Sequence, residues 1–335
     1  MRGQTGVDDK EINTAMSGNP CVAFMFPGQG SQYVGMLSEI ADTHVSVRHT
    51  FAEAADALGY DLWELIQRGN ADELNMTEVT QPALLAASVA LWRSWRAAGG
   101  SSPAVMAGHS LGEFSALVCA GAIGFADGLR LVRARGAAMQ AAVPVGRGAM
   151  SAVIGLDDDA VDAACIAASA QTGSVVAAVN YNSPGQVVIA GYTDAVEEAA
   201  SHCKGAGAKR VVPLPVSAPF HTVLMEPAGE KLQAELENVS VSAPDIPVIH
   251  NVHAQPETSP DAIRELLVQQ IHSPVLWTAC ARAMIKQGAS IFVECGPGKV
   301  LCGLLRRIDR AAQGHGIEMP SEFEAAIQAA REEQS

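Results

Sequence analysis

The chain has 335 residues and a formal net charge of −14, with 48% hydrophobic and only 17% charged residues. That is enough chain for one large or two modest domains with a sizeable core, and so little charge in so apolar a chain excludes intrinsic disorder. The acidic balance excludes non-specific nucleic-acid binding, which needs a basic surface to displace counterions.

Residues 1–20 hold no apolar run of the kind a secretory signal requires, and they are expected to form a disordered leader. CVAFMF (21–26) is a buried strand that stops at Pro27-Gly28. The following Gly28-Gln29-Gly30 is not a dinucleotide loop, because Tyr33 stands where that motif needs its last glycine. Thr80 is expected to cap a helix with Pro82 in its first turn; Leu85, Val89 and Trp92 then recur at helical spacing until Gly99-Gly100. AVMAGHS (104–110) is a short strand running into a turn, and a helix follows from Leu111 to about Gly121 or Gly124.

Between about 146 and 212 the pattern changes. Strand-like AMSAVIGL, VVAAVNYNSPGQVVIAG (with a hairpin turn at Ser183-Pro184-Gly185) and AKRVVPL alternate with the acidic helices DDDAVDAACIAASA and DAVEEAASHCKGAG. The order β-α-β-β-α-β is that of a ferredoxin-like unit. Further on, IFVEC (291–295) is another strand, closed by Gly296-Pro297-Gly298. Gly298-Lys299 is no phosphate-binding loop, since Val293 occupies its first glycine position. The expected architecture is therefore α/β: an α/β-hydrolase-like large domain with a parallel sheet (21–145 and 213–310), an inserted ferredoxin-like small domain (146–212) and a helical tail over 311–335.

No stretch is apolar enough to cross a membrane. The longest run free of Asp, Glu, Lys and Arg, Ala163 to Thr193, is broken by Gln171, Gly173, Asn180, Asn182 and Pro184. Seven scattered cysteines with no C-x-x-C pair point to reduced core thiols and a cytoplasmic protein. The nine histidines show no zinc-binding spacing, so no metal is expected.

Gly108-His109-Ser110-Leu111-Gly112 fits G-x-S-x-G at a strand-to-helix junction. The pattern alone is common; the strand before it and the helix after it make it a nucleophile elbow. Such a turn lifts a serine hydroxyl above the unsatisfied N–H groups of a helix N-terminus, which stabilise an oxyanion. Serine needs a base. His109 should point the other way off the turn. His221, in a Pro-punctuated loop after the strand RVVPL, is one of several histidines able to reach it.

FPGQGSQ (26–32), GHSLGE (108–113), LVRARGAAMQ (131–140), VNYNSPGQVVIAG (179–191), APFH (218–221), QIHSPVLW (270–277) and ECGPGKVL (294–301) occur in that order. From Cys21 to about Ile308 the chain resembles the malonyl-CoA:acyl carrier protein transacylases, the acyltransferases of fatty-acid and polyketide synthesis. The resemblance implies Ser110 as nucleophile, His221 as base, and the Gln270 carbonyl as the group that fixes the base's tautomer. It implies the backbone N–H groups of Gln29 and Leu111 as oxyanion hole. It gives Arg135, by itself only a helical arginine like Arg130 or Arg133, the grip on the malonyl carboxylate. A charge-assisted bond of this type contributes about 1.5–3 kcal/mol, roughly tenfold or more in favour of malonyl over acetyl. It implies that Phe220 fills the space an α-methyl group would need, and it sets Asn180 at the substrate's edge.

The reaction implied is ping-pong transfer of malonyl from malonyl-CoA to the phosphopantetheine thiol of acyl carrier protein, without a cofactor, by a monomer in fatty-acid synthesis. A discrete polyketide acyltransferase and, further off, a serine thioesterase are the alternatives. The carrier is acidic in this family, so docking calls for a local basic patch, with Arg93, Arg96, Lys204, Lys209, Arg210, Lys299, Arg306 and Arg307 as candidates.

Overall fold

A computed structural model describes residues 21–332 apart from Ser217; the expected leader over 1–20 lies outside the described residues. In chain order the strands are β1 (Cys21–Phe26), β2 (Val105–Gly108), β3 (Gly148–Ile154), β4 (Val176–Ser183), β5 (Gln186–Tyr192), β6 (Arg210–Pro213), β7 (Val248–Ile249), β8 (Ala289–Glu294) and β9 (Gln313–Gly316). They form a five-stranded sheet, β7-β2-β1-β8-β9, and a four-stranded sheet, β4-β5-β3-β6.

Every pairing in the first sheet is parallel. Its inner strands β1, β2 and β8 are buried on both faces, which is why β1 reads as an unbroken apolar run. Val22, Phe24 and Phe26 enter one core, with Leu85, Phe114 and Leu117. Ala23 and Met25 enter a second, with Trp277, Phe292 and Leu305. Phe26 pairs with Gly108, so β1 and β2 end level. The loop bearing Gln29 and the turn bearing Ser110 thus leave the carboxyl edge side by side. The strand order runs outward from β1 through β2 to β7 on one side and through β8 to β9 on the other, and open α/β sheets form their crevice at such a reversal.

The second sheet is antiparallel throughout. Val153, Val187 and Ile189 face the helices Asp158–Thr172 and Thr193–Gly205, packing on Val161, Cys165, Val196 and Cys203. The alternate residues Met150, Val188 and Ala190 join the large core. The β-α-β-β-α-β order read from 146–212 is the order of elements observed. Two backbone bonds, Tyr181 N–H to Val275 O (3.0 Å) and Val275 N–H to Val179 O (2.8 Å), tie this sheet to the segment after the helix Pro260–Ile271.

Two local expectations are corrected. The helix expected from Thr80 starts at Thr77 and runs to Ala97 with Pro82 inside it, and Thr80 does not cap it. The Thr80 hydroxyl instead donates to Leu74 O (2.5 Å). Only one backbone bond is lost to Pro82, and the packing of a fully buried helix face outweighs it. The tail is helical only from Pro320 to Glu332; ahead of that, β9 extends the large sheet beside β8. Between them Glu318, 6% exposed, accepts from Tyr33 OH, Leu37 N–H and Gly298 N–H, so the tail braces the loop that carries Gln29. Cys119, Cys165, Cys203, Cys280 and Cys295 are buried free thiols. No described helix is long and apolar enough to cross a membrane.

Candidate active site

The elbow is forced by close backbone approach. A Cβ on Gly108 would lie 1.8 Å from the Gly112 carbonyl carbon, and one on Gly112 would lie 2.0 Å from Phe26 O. Only glycine fits at either place. Between them Ser110 takes φ +52°, a conformation costing about 1–3 kcal/mol for a residue with a side chain. Gly112 N–H to His109 O and Glu113 N–H to Ser110 O close the turn. Asn251 clamps it: its Oδ1 accepts from Ser110 N–H (2.7 Å) and its Nδ2 donates to Gly108 O (2.7 Å).

Ser110 Oγ lies 2.7 Å from His221 Nε2, and His221 Nδ1 lies 2.9 Å from Gln270 O. A carbonyl can only accept, so the ring proton sits on Nδ1 and Nε2 is bare toward the serine. His221 is itself at φ +63°. Burial first, then the nearby Arg135 charge, pull its pKa down to about 3, against a smaller upward pull from Gln270 O. The ring is neutral at neutral pH, the state a base requires.

Arg135 is 1% exposed. It shares the buried stripe of the helix Phe125–Ala141 with Leu131, Val132, Ala138 and Met139, whereas Arg130 and Arg133 are exposed. Its Nη1 donates to Gln81 Oε1 (3.0 Å) and its Nη2 to Gln270 Oε1 (2.8 Å) and Ser110 Oγ (3.2 Å). The guanidinium lies 5.1 Å from the Phe114 ring centre. Burial lowers its pKa to about 10, with Glu113 acting the other way, so it stays charged at neutral pH. Nε is buried and has no partner among the described residues.

These groups face a cavity of about 120 Å³ between the two sheets, lined also by Gln29, Leu111, Met139, Met150, Asn180, Leu214, Val216 and Phe220. Every expected site residue borders the cavity except Gln270, which lies behind Arg135 and His221. Asn180 and Phe220 are 7% and 9% exposed. A larger groove of about 510 Å³ between the helices Glu226–Leu236 and Pro260–Ile271 is a surface furrow with no nucleophile in it.

His109 departs from expectation. It lines the same cavity, and its Nε2 donates to Asn182 Oδ1 (2.8 Å). The turn sends its side chain toward β4, where Asn182 and the Trp277 ring (5.7 Å) hold it. Sequence reasoning also missed Gln81, Glu113, Asn251 and the Gln270 side chain. Glu113 carried a signal, as a carboxylate three residues after the nucleophile on an otherwise apolar helix. The others had none.

A model of the acyl transferase domain matches residues 23–316. The malonyl CoA-acyl carrier protein transacylase of Escherichia coli (strain K12) is 56% identical over 306 residues, spanning 91% of this chain and 98% of that protein. That of Bacillus subtilis (strain 168) is 43% identical, spanning 93% and 98%. Among solved structures, an acyl carrier protein S-malonyltransferase from Vibrio cholerae superposes with TM-score 0.89 at 54% identity, over 91% of this chain and 99% of that one. A malonyl-transacylase in complex with a type II PKS acyl-carrier protein superposes with TM-score 0.90 at 51% identity, over 92% and 99%.

Proposed function

The chain belongs to the acyl transferase family, among the malonyl CoA-acyl carrier protein transacylases, and on that premise we propose that it moves malonyl from malonyl-CoA to the phosphopantetheine thiol of an acyl carrier protein through a malonyl ester of Ser110. The observation that carries this reading is the convergence on one hydroxyl of a neutral imidazole at 2.7 Å and a buried guanidinium at 3.2 Å.

His221 Nε2 takes the Ser110 proton as Oγ attacks the thioester carbonyl. The oxyanion rests on the Gln29 and Leu111 N–H groups, the latter at the start of the elbow helix. The thiolate of CoA leaves with the proton from His221, and the carrier's thiol then repeats the steps in reverse. The malonyl carboxylate binds Arg135, whose planar fork donates to both oxygens. That pairing also neutralises the charge that holds His221 down, so the correct substrate strengthens the base. Acetyl offers no anionic acceptor to the guanidinium. Phe220 and Asn180 border the cavity, and in this reading Phe220 takes up the room an α-substituent would need.

Transfer through a serine ester needs no redox or metal group, and the reading takes the enzyme as a cytoplasmic monomer built of a large domain (21–145 and from 213 on, including β9 and the C-terminal helix) and an inserted small one (146–212). Of the candidate basic residues, Arg93 pairs with Glu53 and Lys299 with Glu322. Arg306, Arg307 and Arg310 line an open groove, which suits an acidic carrier. The pathway is fatty-acid synthesis. A polyketide carrier is the second reading, favoured by the resemblance to a transacylase solved with one.

Stopped-flow release of CoA tests the proposal. Malonyl-CoA alone should give one burst of about one equivalent per enzyme, and turnover should resume only when a carrier thiol is added. Steady release of free malonate without a carrier contradicts transfer and favours hydrolysis.

A further inference from the structure

We propose that Glu113 is a positioning residue for acyl selectivity, which through the side-chain amide of Gln270 aims the Arg135 guanidinium and balances its charge. The inference rests on the reading of Arg135 as the partner of the malonyl carboxylate.

Glu113, in the first turn of the helix Leu111–Cys119, is fully buried. Three donors converge on it: His250 Nδ1 (2.8 Å) on Oε1, and Asn251 N–H (2.9 Å) and Gln270 Nε2 (2.8 Å) on Oε2. A carboxylate only accepts, so it satisfies all three; a neutral amide would turn an NH₂ group on at least one of them. This settles which way the Gln270 amide points. Its Nε2 faces Glu113 and Ser110 O (3.0 Å), leaving Oε1 as the atom offered to Arg135.

Glu113 also acts through its charge. No carboxylate lies within salt-bridge distance of Arg135 among the described residues; its acceptors are two amide oxygens and a hydroxyl. An isolated buried cation is costly, and Glu113 supplies the opposite charge one amide away. A carboxylate in direct contact would occupy the fork that the substrate needs. Set behind Gln270, Glu113 balances the guanidinium and leaves the donors not used by Gln81 and Gln270, among them the one now on Ser110 Oγ, to meet the substrate.

The test compares single-turnover acylation of Ser110 by malonyl-CoA and by acetyl-CoA in the full-length wild type and Glu113→Gln. Selectivity for malonyl should fall by about tenfold or more, chiefly as a higher half-saturating malonyl-CoA concentration, because loss of the guanidinium's aim outweighs the gain in net positive charge around it. Labelling of Ser110 by a neutral fluorophosphonate should change by less than about threefold, since the serine and its base remain in place. An unchanged malonyl-to-acetyl ratio, or an equal loss for both acyl groups and the fluorophosphonate, overturns the inference. Should Glu113→Gln fail to fold, Gln270→Met cuts the same bridge while keeping the backbone carbonyl that holds His221. The same loss of selectivity is expected there, and a preserved ratio overturns the inference. A wild type that takes no malonyl on Ser110 overturns the underlying reading and this inference with it.

Discussion

Two walls enclose the cavity at Ser110, and they are built by different physics. The wall on the large sheet is a closed polar lattice in which Asn251, Glu113, Gln270, Gln81 and Arg135 bond to one another or to the elbow backbone. The opposite wall, with Met150 from β3 and Leu214 and Val216 from the stretch after β6, is mainly apolar. The first holds two residues at positive φ and a buried cation, each unfavourable alone, and needs directional bonds to do so. The second only has to fit an acyl chain and exclude water. Cutting the elbow clamp of the polar wall should therefore cost the rate of Ser110 acylation, cutting its lattice around Arg135 should cost acyl selectivity, and trimming the apolar wall should leave the rate nearly unchanged.

The sharpest way to break that contrast is the elbow clamp. Asn251→Ala leaves Ser110 N–H and Gly108 O unpaired and lets the strained turn relax. The rate of Ser110 acylation should drop about a hundredfold, with a smaller change in the malonyl-CoA concentration for half-saturation. Next, Arg135→Ala should lower the preference for malonyl over acetyl by about tenfold or more in a competition read by mass spectrometry. A smaller effect is expected across the cavity. Met150→Ala should change the acylation rate at saturation by less than about threefold while lowering stability by about 2–5 kcal/mol in denaturant titration.

The smallest expected effect on rate is none. With its pKa lowered to about 3, His221 stays neutral, so acylation measured from pH 8 to pH 6 should show no acid limb near the ordinary histidine value. Stability behaves otherwise. The unfolded chain binds that proton near pH 6.5 and the folded chain does not until about pH 3. Stability is therefore full above pH 6.5 and is lost as pH falls through that window. His109, also lowered by burial, adds in the same direction.

What the sequence disclosed follows the same divide. Local geometry was legible: the run at β1, the β-α-β-β-α-β order and the Gly108–Gly112 turn are short-range patterns set by period and by glycine. The short β9 was not, because Gln313–Gly316 carries no apolar alternation and becomes a strand only by pairing with β8. Pro82 misled for a related reason: local preference placed it at a helix start, and burial of the whole face carried the helix past it. In the site, the elbow announced Ser110, but His221, Gln270 and Asn251 stand 111, 160 and 141 residues away from it. Only the fold, or likeness to a family, brings them together. A buried Arg135 resembles the exposed Arg130 and Arg133 in sequence until the helix is turned against its neighbours.

The most direct measurement is intact-protein and peptide mass spectrometry after malonyl-CoA is added to the wild type and to Ser110→Ala. One malonyl group on the peptide containing Ser110, removed when a carrier thiol is supplied and missing in Ser110→Ala, is the predicted result. A malonyl group on another residue, or one that survives the substitution, would contradict the account.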